Sequence, residues 1–221
     1  AYTSVPGSVA DPDPCHTINV DGTYNLLNAA RKNQVKRFIF SSSSAVYGPR
    51  EDMCYETDTN LNPISPYGAT KLIGEIYCTQ FSLLYNIETV MLRYFNVYGP
   101  RQNPNSQYAA AVAKFTQCIE KNIPITIFGD GMQTRDFVSV TQVAEANLIA
   151  GMADRTLVDR EVFNVGTGQS ITILALAQSL KQKYPAYMHE PCFAPARDGD
   201  VKHAAMSAEK FNHLKASLIV Q

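Results

Sequence analysis

Short apolar runs alternate along this chain with stretches of helical periodicity, and that alternation is what most constrains its fold. Between residues 16 and 33, Val20, Tyr24, Leu27 and Ala30 recur at helical spacing, and VKRFIF (35–40) follows as a short buried strand. A longer helical pattern over 66–85 carries Ala69, Leu72, Ile73, Ile76, Leu83 and Leu84. It opens on Ser65-Pro66, a cap followed by a first-turn proline. IETVMLRYF (87–95) reads as the next strand. The same rules predict helices over 108–120, 141–153 and 171–183, strands over 124–128, 135–140 and 162–165, and a helix-like stretch from 207 onward. Residues 1–14, rich in Pro, Gly, Ser and Asp, read as a loop. Helix and strand in alternation predict an α/β fold, a doubly wound parallel sheet with helices on its faces.

Composition sets outer bounds. The chain has 221 residues, 45% of them hydrophobic, and a formal net charge of −1, so bulk charge points to neither nucleic acid nor a membrane surface. There is no run of 18 apolar residues, and the first residues lack the charged start and apolar core of a signal peptide. The five cysteines, at 15, 54, 78, 118 and 192, are odd in number and share no CxxC spacing. Neither a zinc site nor a disulfide framework is expected, and a reducing cytoplasm is. The four histidines are scattered, and no metal site is expected.

The two longest irregular stretches, 41–65 and 97–107, are the natural places for function. In a doubly wound sheet ligands bind beyond the carboxyl ends of the strands. The serine run after strand 35–40 and the segment Asn96-Val97-Tyr98-Gly99 after strand 87–95 therefore belong on one rim. Tyr67 and Lys71 stand four apart in a predicted helix, on one face. A lysine ammonium beside a phenol favours the phenolate, and a tyrosine so tuned can act as acid or base near neutrality. A hydroxyl such as Ser43 can hold the same substrate oxygen. YxxxK alone is a weak signal in a chain with twelve tyrosines, and an aromatic beside a solvated lysine is the plain alternative.

Context makes it specific. FIFSSSSAVYG (38–48), SPYGATK (65–71) and LRYFNVYGPRQ (92–102) resemble three successive signatures of the extended short-chain dehydrogenase/reductase family, in its order and at its spacing. GDGMQTRDFVSV (129–140) and RDGDVKH (197–203) resemble two more, from its nucleotide-sugar epimerases and dehydratases. The resemblance implies a Rossmann-like sheet, NAD as cofactor and a UDP-sugar as substrate. By it Tyr67 is the catalytic acid/base, Lys71 binds the nicotinamide ribose and tunes Tyr67, and Ser43 is the catalytic hydroxyl, with Ser42 and Ser44 as neighbours in register. Tyr94 and Val97 flank the nicotinamide, and Asn19 lies on the cofactor side. Thr3 and Ser4 touch the sugar, and Asn96 binds the diphosphate. Arg135 and Arg197 hold the diphosphate as guanidinium forks. Asp200 accepts from the ribose, and Ala110, Ala111 and Phe115 line the nucleoside pocket. For Arg135 the plain alternative is a surface ion pair with Asp136 or Asp130.

Two details narrow the reaction. Dehydratases of the family follow the catalytic hydroxyl with Asp-Glu; here Ser43 is followed by Ser44 and Ala45, and elimination lacks its proton donor. That favours 4-epimerisation, in which the hydride leaves C4 and returns to the other face. Ala204, seven residues after Arg197, stands where a tyrosine excludes an N-acetyl group in similar epimerases, so acetylated sugars are expected to enter. The alternatives are another nucleotide-sugar enzyme of this scaffold (uronate epimerase, reductase or dehydratase) and a non-catalytic nucleotide-binding relative. Residues 1–98 are expected to belong to the cofactor-binding domain and 99–221 mainly to a sugar-nucleotide domain, with segments near 134–168 returning to the former.

None of the twelve glycines forms GxGxxG or GxxGxxG. The family's first strands and last helices are therefore expected to lie outside this sequence, strand 35–40 to have an open apolar edge, and NAD binding to be weak. The helices over 16–33 and 66–85, the latter with Tyr77, Phe81 and Tyr85 at four-residue spacing, are the expected homodimer contact.

Overall fold

The computed structural model describes residues 1–102, 111–196, 202–203 and 205–219. The chain opens with α1 (Val5–Ala10), α2 (Pro12–His16), a π-turn over Thr17–Asp21 and α3 (Gly22–Lys32). Then come β1 (Arg37–Ser43), α4 (Pro66–Tyr85), β2 (Glu88–Tyr94), β3 (Asn96–Tyr98) and α5 (Ala111–Glu120). Next are β4 (Thr126–Phe128), β5 (Thr134–Ser139), α6 (Val140–Met152), α7 (Arg155–Val158) and β6 (Glu161–Val165). The last elements are β7 (Ser170–Thr172), α8 (Ile173–Lys183), β8 (Cys192–Ala194) and α9 (Glu209–Ile219).

The sheet β1-β2-β6 is parallel, with Phe40 beside Met91, Ser42 beside Arg93 and Ser43 beside Tyr94. Alternation along the strands splits its side chains between two cores. Phe40 and Met91 pack on Leu27, Cys78 and Phe81 of α3 and α4. Val90, Leu92, Phe163 and Val165 pack on Ala146 and Ala150 of α6 and Leu214 of α9. Helices thus cover both faces of a parallel sheet, as expected. Among the described residues β1 is an outer strand of that sheet, pairing with β2 alone.

Two smaller sheets are β3-β5-β7 and β4-β8; Val97 of β3 and Val138 of β5 pack into the first sheet's core under α6. A third core gathers Phe115 and Ile119 of α5, Ile127 of β4 with Ile125 just before it, and Ile173 and Leu176 of α8.

Where the structure differs from the sequence reading, the cause is local. Residues 1–14 are largely helical, because the prolines that read as loop signals sit in first turns behind real caps. The Ser4 hydroxyl accepts from the Gly7 N–H and the Asp11 carboxylate from the Asp13 N–H. Ser41, Ser42 and Ser43 extend β1 instead of opening a loop. Asn96 to Tyr98 form a short strand against β5. Ser170–Thr172 pair antiparallel with β5, so α8 begins only at Ile173, capped by Thr172.

α4 runs over the span read from the sequence. Ser65 caps it through the Gly68 N–H, and Asn86, in the left-handed region at φ 53°, stops it. It lies unusually close to β1. A Cβ on Gly68 would stand 2.7 Å from the Ala45 carbonyl oxygen, and one on Gly74 would enter the Phe40 ring. These two glycines let the helix bring its first turn down onto the carboxyl end of β1.

Candidate active site

That close approach assembles Ser43, Tyr67 and Lys71. Ser43 ends β1, its hydroxyl accepting from the Ala45 N–H at 3.2 Å, and that hydroxyl stands near enough to the Tyr67 phenol to favour its ionised form. Lys71, one turn along α4, is buried. Its ammonium donates to the Ser41 carbonyl at 2.9 Å and lies 5.3 Å from the centre of the Phe40 ring and 5.8 Å from that of Tyr67. Burial pushes the Tyr67 phenol above its ordinary range, while the Ser43 hydrogen bond pulls it back. Burial pushes the Lys71 ammonium down. The expected lowering of the phenol by Lys71 is therefore not what this structure shows: the ammonium is turned to the Ser41 carbonyl, and desolvation is the larger effect on the phenol.

Ser42 does not face the rim. Alternation turns it to the other side of β1, where its hydroxyl donates to Glu75 Oε1 at 2.5 Å. Glu75 in turn accepts from Arg93 at 2.9 and 2.7 Å, a bidentate pair in which both residues are buried. The guanidinium carbon of Arg93 lies 4.7 Å from the Tyr47 ring centre. The Tyr47 hydroxyl donates to Asn164 Oδ1 at 2.7 Å, and burial pushes its pKa up to about 12. Arg93 was legible as a problem, since a cation inside the apolar run 87–95 needs a partner. Nothing in the sequence said which carboxylate would supply it.

Asn19 is likewise held by the protein's own groups. It is buried in the π-turn, and its carboxamide is taken up by protein: Oδ1 accepts from the Tyr2 N–H at 2.8 Å, and Nδ2 donates to the Tyr2 carbonyl at 2.9 Å and to the Thr70 hydroxyl at 3.0 Å. Ser4 is also buried, spending its hydroxyl on the α1 cap, whereas Thr3 is exposed. Ser44 begins a single 3-10 turn after β1.

On the other side of the rim, the Tyr94 hydroxyl accepts from Asn147 Nδ2 at 2.8 Å and lies 3.3 Å from the Ser41 hydroxyl. Val97 packs against the core under α6. Asn96 donates to the Asp136 carbonyl at 3.1 Å. The Arg135 guanidinium reaches the carbonyls of Thr134 at 2.8 Å and Lys202 at 3.5 Å. Its neighbour Asp136, fully buried, accepts from the Thr167 N–H and hydroxyl and the Gly168 N–H at 2.7 to 3.0 Å. Ala111 begins α5, and Phe115, 5% exposed, belongs to the third core. Ala110, Arg197, Asp200 and Ala204 lie outside the described residues.

All five cysteines are free, and no helix among the described residues is long and apolar enough to cross a membrane. No group of three or more His, Cys, Asp or Glu able to hold a metal occurs among the described residues.

Comparison with known proteins places the whole chain. The sequence profile of the NAD dependent epimerase/dehydratase family matches residues 1–166. A UDP-glucose 4-epimerase of Mycolicibacterium smegmatis is 37% identical over 207 residues, covering 93% of this chain and 64% of its own length. Among solved structures, a UDP-N-acetylglucosamine 4-epimerase of Methanobrevibacter ruminantium, in complex with UDP-N-acetylmuramic acid, superposes with a TM-score of 0.91 at 38% identity. It covers 97% of this chain and 67% of that one. A UDP-glucose 4-epimerase of Thermotoga maritima with UDP-glucose gives 0.90 at 39% identity, covering 97% and 69%. The chain thus spans about two thirds of the length of these relatives. With the profile over three quarters of its residues and the Ser43, Tyr67 and Lys71 signatures on one rim, this chain belongs to the NAD dependent epimerase/dehydratase family.

Proposed function

We propose that the chain carries the catalytic and much of the sugar-nucleotide-binding part of an NAD-dependent nucleotide-sugar 4-epimerase acting on UDP-glucose, UDP-N-acetylglucosamine and their galacto epimers. The observation that carries this reading is the meeting of Ser43, Tyr67 and Lys71 at the carboxyl rim with no carboxylate directly following Ser43 and with Glu75 already engaged. Ser44 and Ala45 follow Ser43, and Glu75, one turn beyond Lys71, is consumed by Arg93 and Ser42.

The donor set fits the nicotinamide half of the cofactor. An ammonium carries three protons, so Lys71 keeps donors for a ribose diol beyond the one it gives to Ser41. Tyr94, Val97 and the Tyr67 hydroxyl complete that wall. NAD, when bound, would supply the hydride acceptor that C4 oxidation requires. The chain's own residues hold and move the proton. Ser43 orients the C4 oxygen. The Ser43 hydrogen bond favours the phenolate that takes the proton from that oxygen, and the buried, neutral Tyr67 gives it back. Asn96 and Arg135 stand on the diphosphate side.

The test is to supply the protein with NAD and each UDP-sugar and to resolve the epimers chromatographically. Interconversion without steady NADH build-up is expected, and Tyr67→Phe should abolish it. Net NADH formation, or a 4-keto-6-deoxy product, would overturn the reading. Ala204→Tyr should suppress turnover of the acetylated pair more than the plain pair; equal losses would remove the pocket-size argument. A homodimer through α3 and α4 is proposed on the exposed Tyr24, Ile76, Leu83, Leu84 and Tyr85, and light scattering on the protein in solution checks it.

A further inference from the structure

The helix that bears Tyr67 is held at its first turn by a residue outside the signatures. In α4 the N-cap hydroxyl of Ser65 takes the Gly68 N–H, which leaves the N–H of Tyr67 itself as one of the helix's orphan donors. Ser8, on α1 and fully buried, accepts it: Tyr67 N to Ser8 Oγ is 3.1 Å. The Ser8 hydroxyl proton goes to the Val5 carbonyl at 2.7 Å, which fixes the direction of its lone pairs. The carbonyl of Tyr67 is gripped as well. It accepts from the Thr70 hydroxyl at 2.8 Å, and that hydroxyl accepts from Asn19, whose carboxamide brackets Tyr2. Both backbone polar groups of Tyr67 are thus tied to the two ends of one short segment, Tyr2 to Val5, which contains Thr3 and Ser4.

We infer that Ser8 is a positioning residue for Tyr67, and that with Asn19 it couples the conformation of the Thr3–Ser4 segment to the placement of the Tyr67 phenol against Ser43. This rests on the reading of Tyr67 as the acid/base. Ser8 touches neither substrate nor cofactor in this account; it acts through the Tyr67 N–H. A buried N–H left without its acceptor pulls the turn toward another partner, and a small displacement of an acid/base is costly to rate.

Three measurements test it. In the unaltered protein, hydrogen exchange should show the Tyr67 amide protected at least about 100-fold over a free first-turn amide; free exchange would overturn the clamp whatever the enzyme does. In Ser8→Ala, kcat should fall about tenfold while KM for the UDP-sugar moves less than about threefold. NMR of 13C-labelled tyrosine should then show the Tyr67 phenol titrating at higher pH than in the unaltered protein, because its Ser43 hydrogen bond is loosened. Ser8→Thr, which keeps the hydroxyl, should recover much of both. A Ser8→Ala protein with lowered Tm but unchanged kcat and unchanged phenol titration would show a merely structural role and overturn the inference. If the unaltered protein epimerises no UDP-sugar, the functional reading fails, while exchange and NMR still report on the clamp.

Discussion

The rim region around α4 and the lobe of α5, β4 and α8 are both well buried, but by different chemistry. Around the rim the buried side chains include Ser8, Asn19, Ser42, Thr70, Lys71, Glu75 and Arg93, each with a named hydrogen-bond partner. Among the described residues of 111–128 and 173–196, every buried residue is aliphatic or aromatic, and the Tyr187 hydroxyl there bridges the backbone of Ile123 and Ile125. Apolar packing is tolerant of rearrangement, whereas hydrogen bonds with fixed donors and acceptors are not. On the proposed reading, a region that must place a phenol within hydrogen-bond reach of one oxygen is held by the second kind of contact. The apolar lobe relies on the first.

The comparison breaks if the two regions respond alike to substitution. The largest expected effect is on rate: Tyr67→Phe should lower kcat by about 10²–10⁴ with little change in Tm, read in the epimer assay. Next, Glu75→Ala strands the buried Arg93 cation and should cost about 3–5 kcal/mol in chemical denaturation. Ile127→Ala, in the aliphatic lobe, should cost about 2–5 kcal/mol by cavity formation, yet leave kcat per folded molecule nearly unchanged; a rate loss comparable to that of Tyr67→Phe would erase the distinction.

Alkaline pH sharpens the same contrast. The Tyr47 phenol is raised from 10.0 to about 12 in the folded state, so the folded protein binds the extra proton between those values. Its contribution to stability is complete below about pH 10 and is lost as pH rises toward 12. Denaturation midpoints across that window should fall less steeply in Tyr47→Phe than in the unaltered protein. The smallest effect is expected at the α4 cap, where Ser65→Ala should cost about 1 kcal/mol.

Much of this was legible in the residues. The bounds of α4 followed from Ser65-Pro66 and a long apolar periodicity, and the parallel sheet followed from alternating element types. The order of strand ends put the serine run and Asn96–Gly99 on one rim, while the meeting of Ser43 with Tyr67 and Lys71 was expected from the four-residue spacing in α4 and the family signatures. The orientation of individual serines was not legible: four in a row offer every register, and only the burial of Phe40 decides that Ser42 turns inward. Lys71 read as a tuner of the phenol because spacing reports proximity but not where an ammonium finds its acceptor. Ser8 carried no local signal at all, since its partner lies 59 positions away and is a backbone N–H.

The π-turn at Thr17–Asp21 bears on protein engineering. Eight residues of ideal α-helix, at about 100° each, would set Asn19 about 80° around the axis from Leu27, which packs against the core beneath α4. Looser winding at the π-turn narrows that offset and lets both side chains face inward. A designer who scans for irregular helices to idealise would choose this place early. Replacements that enforce regular winding there are expected to raise helix propensity while swinging Asn19 away from Thr70, so a gain in thermal tolerance would come with a loss of alignment at the phenol.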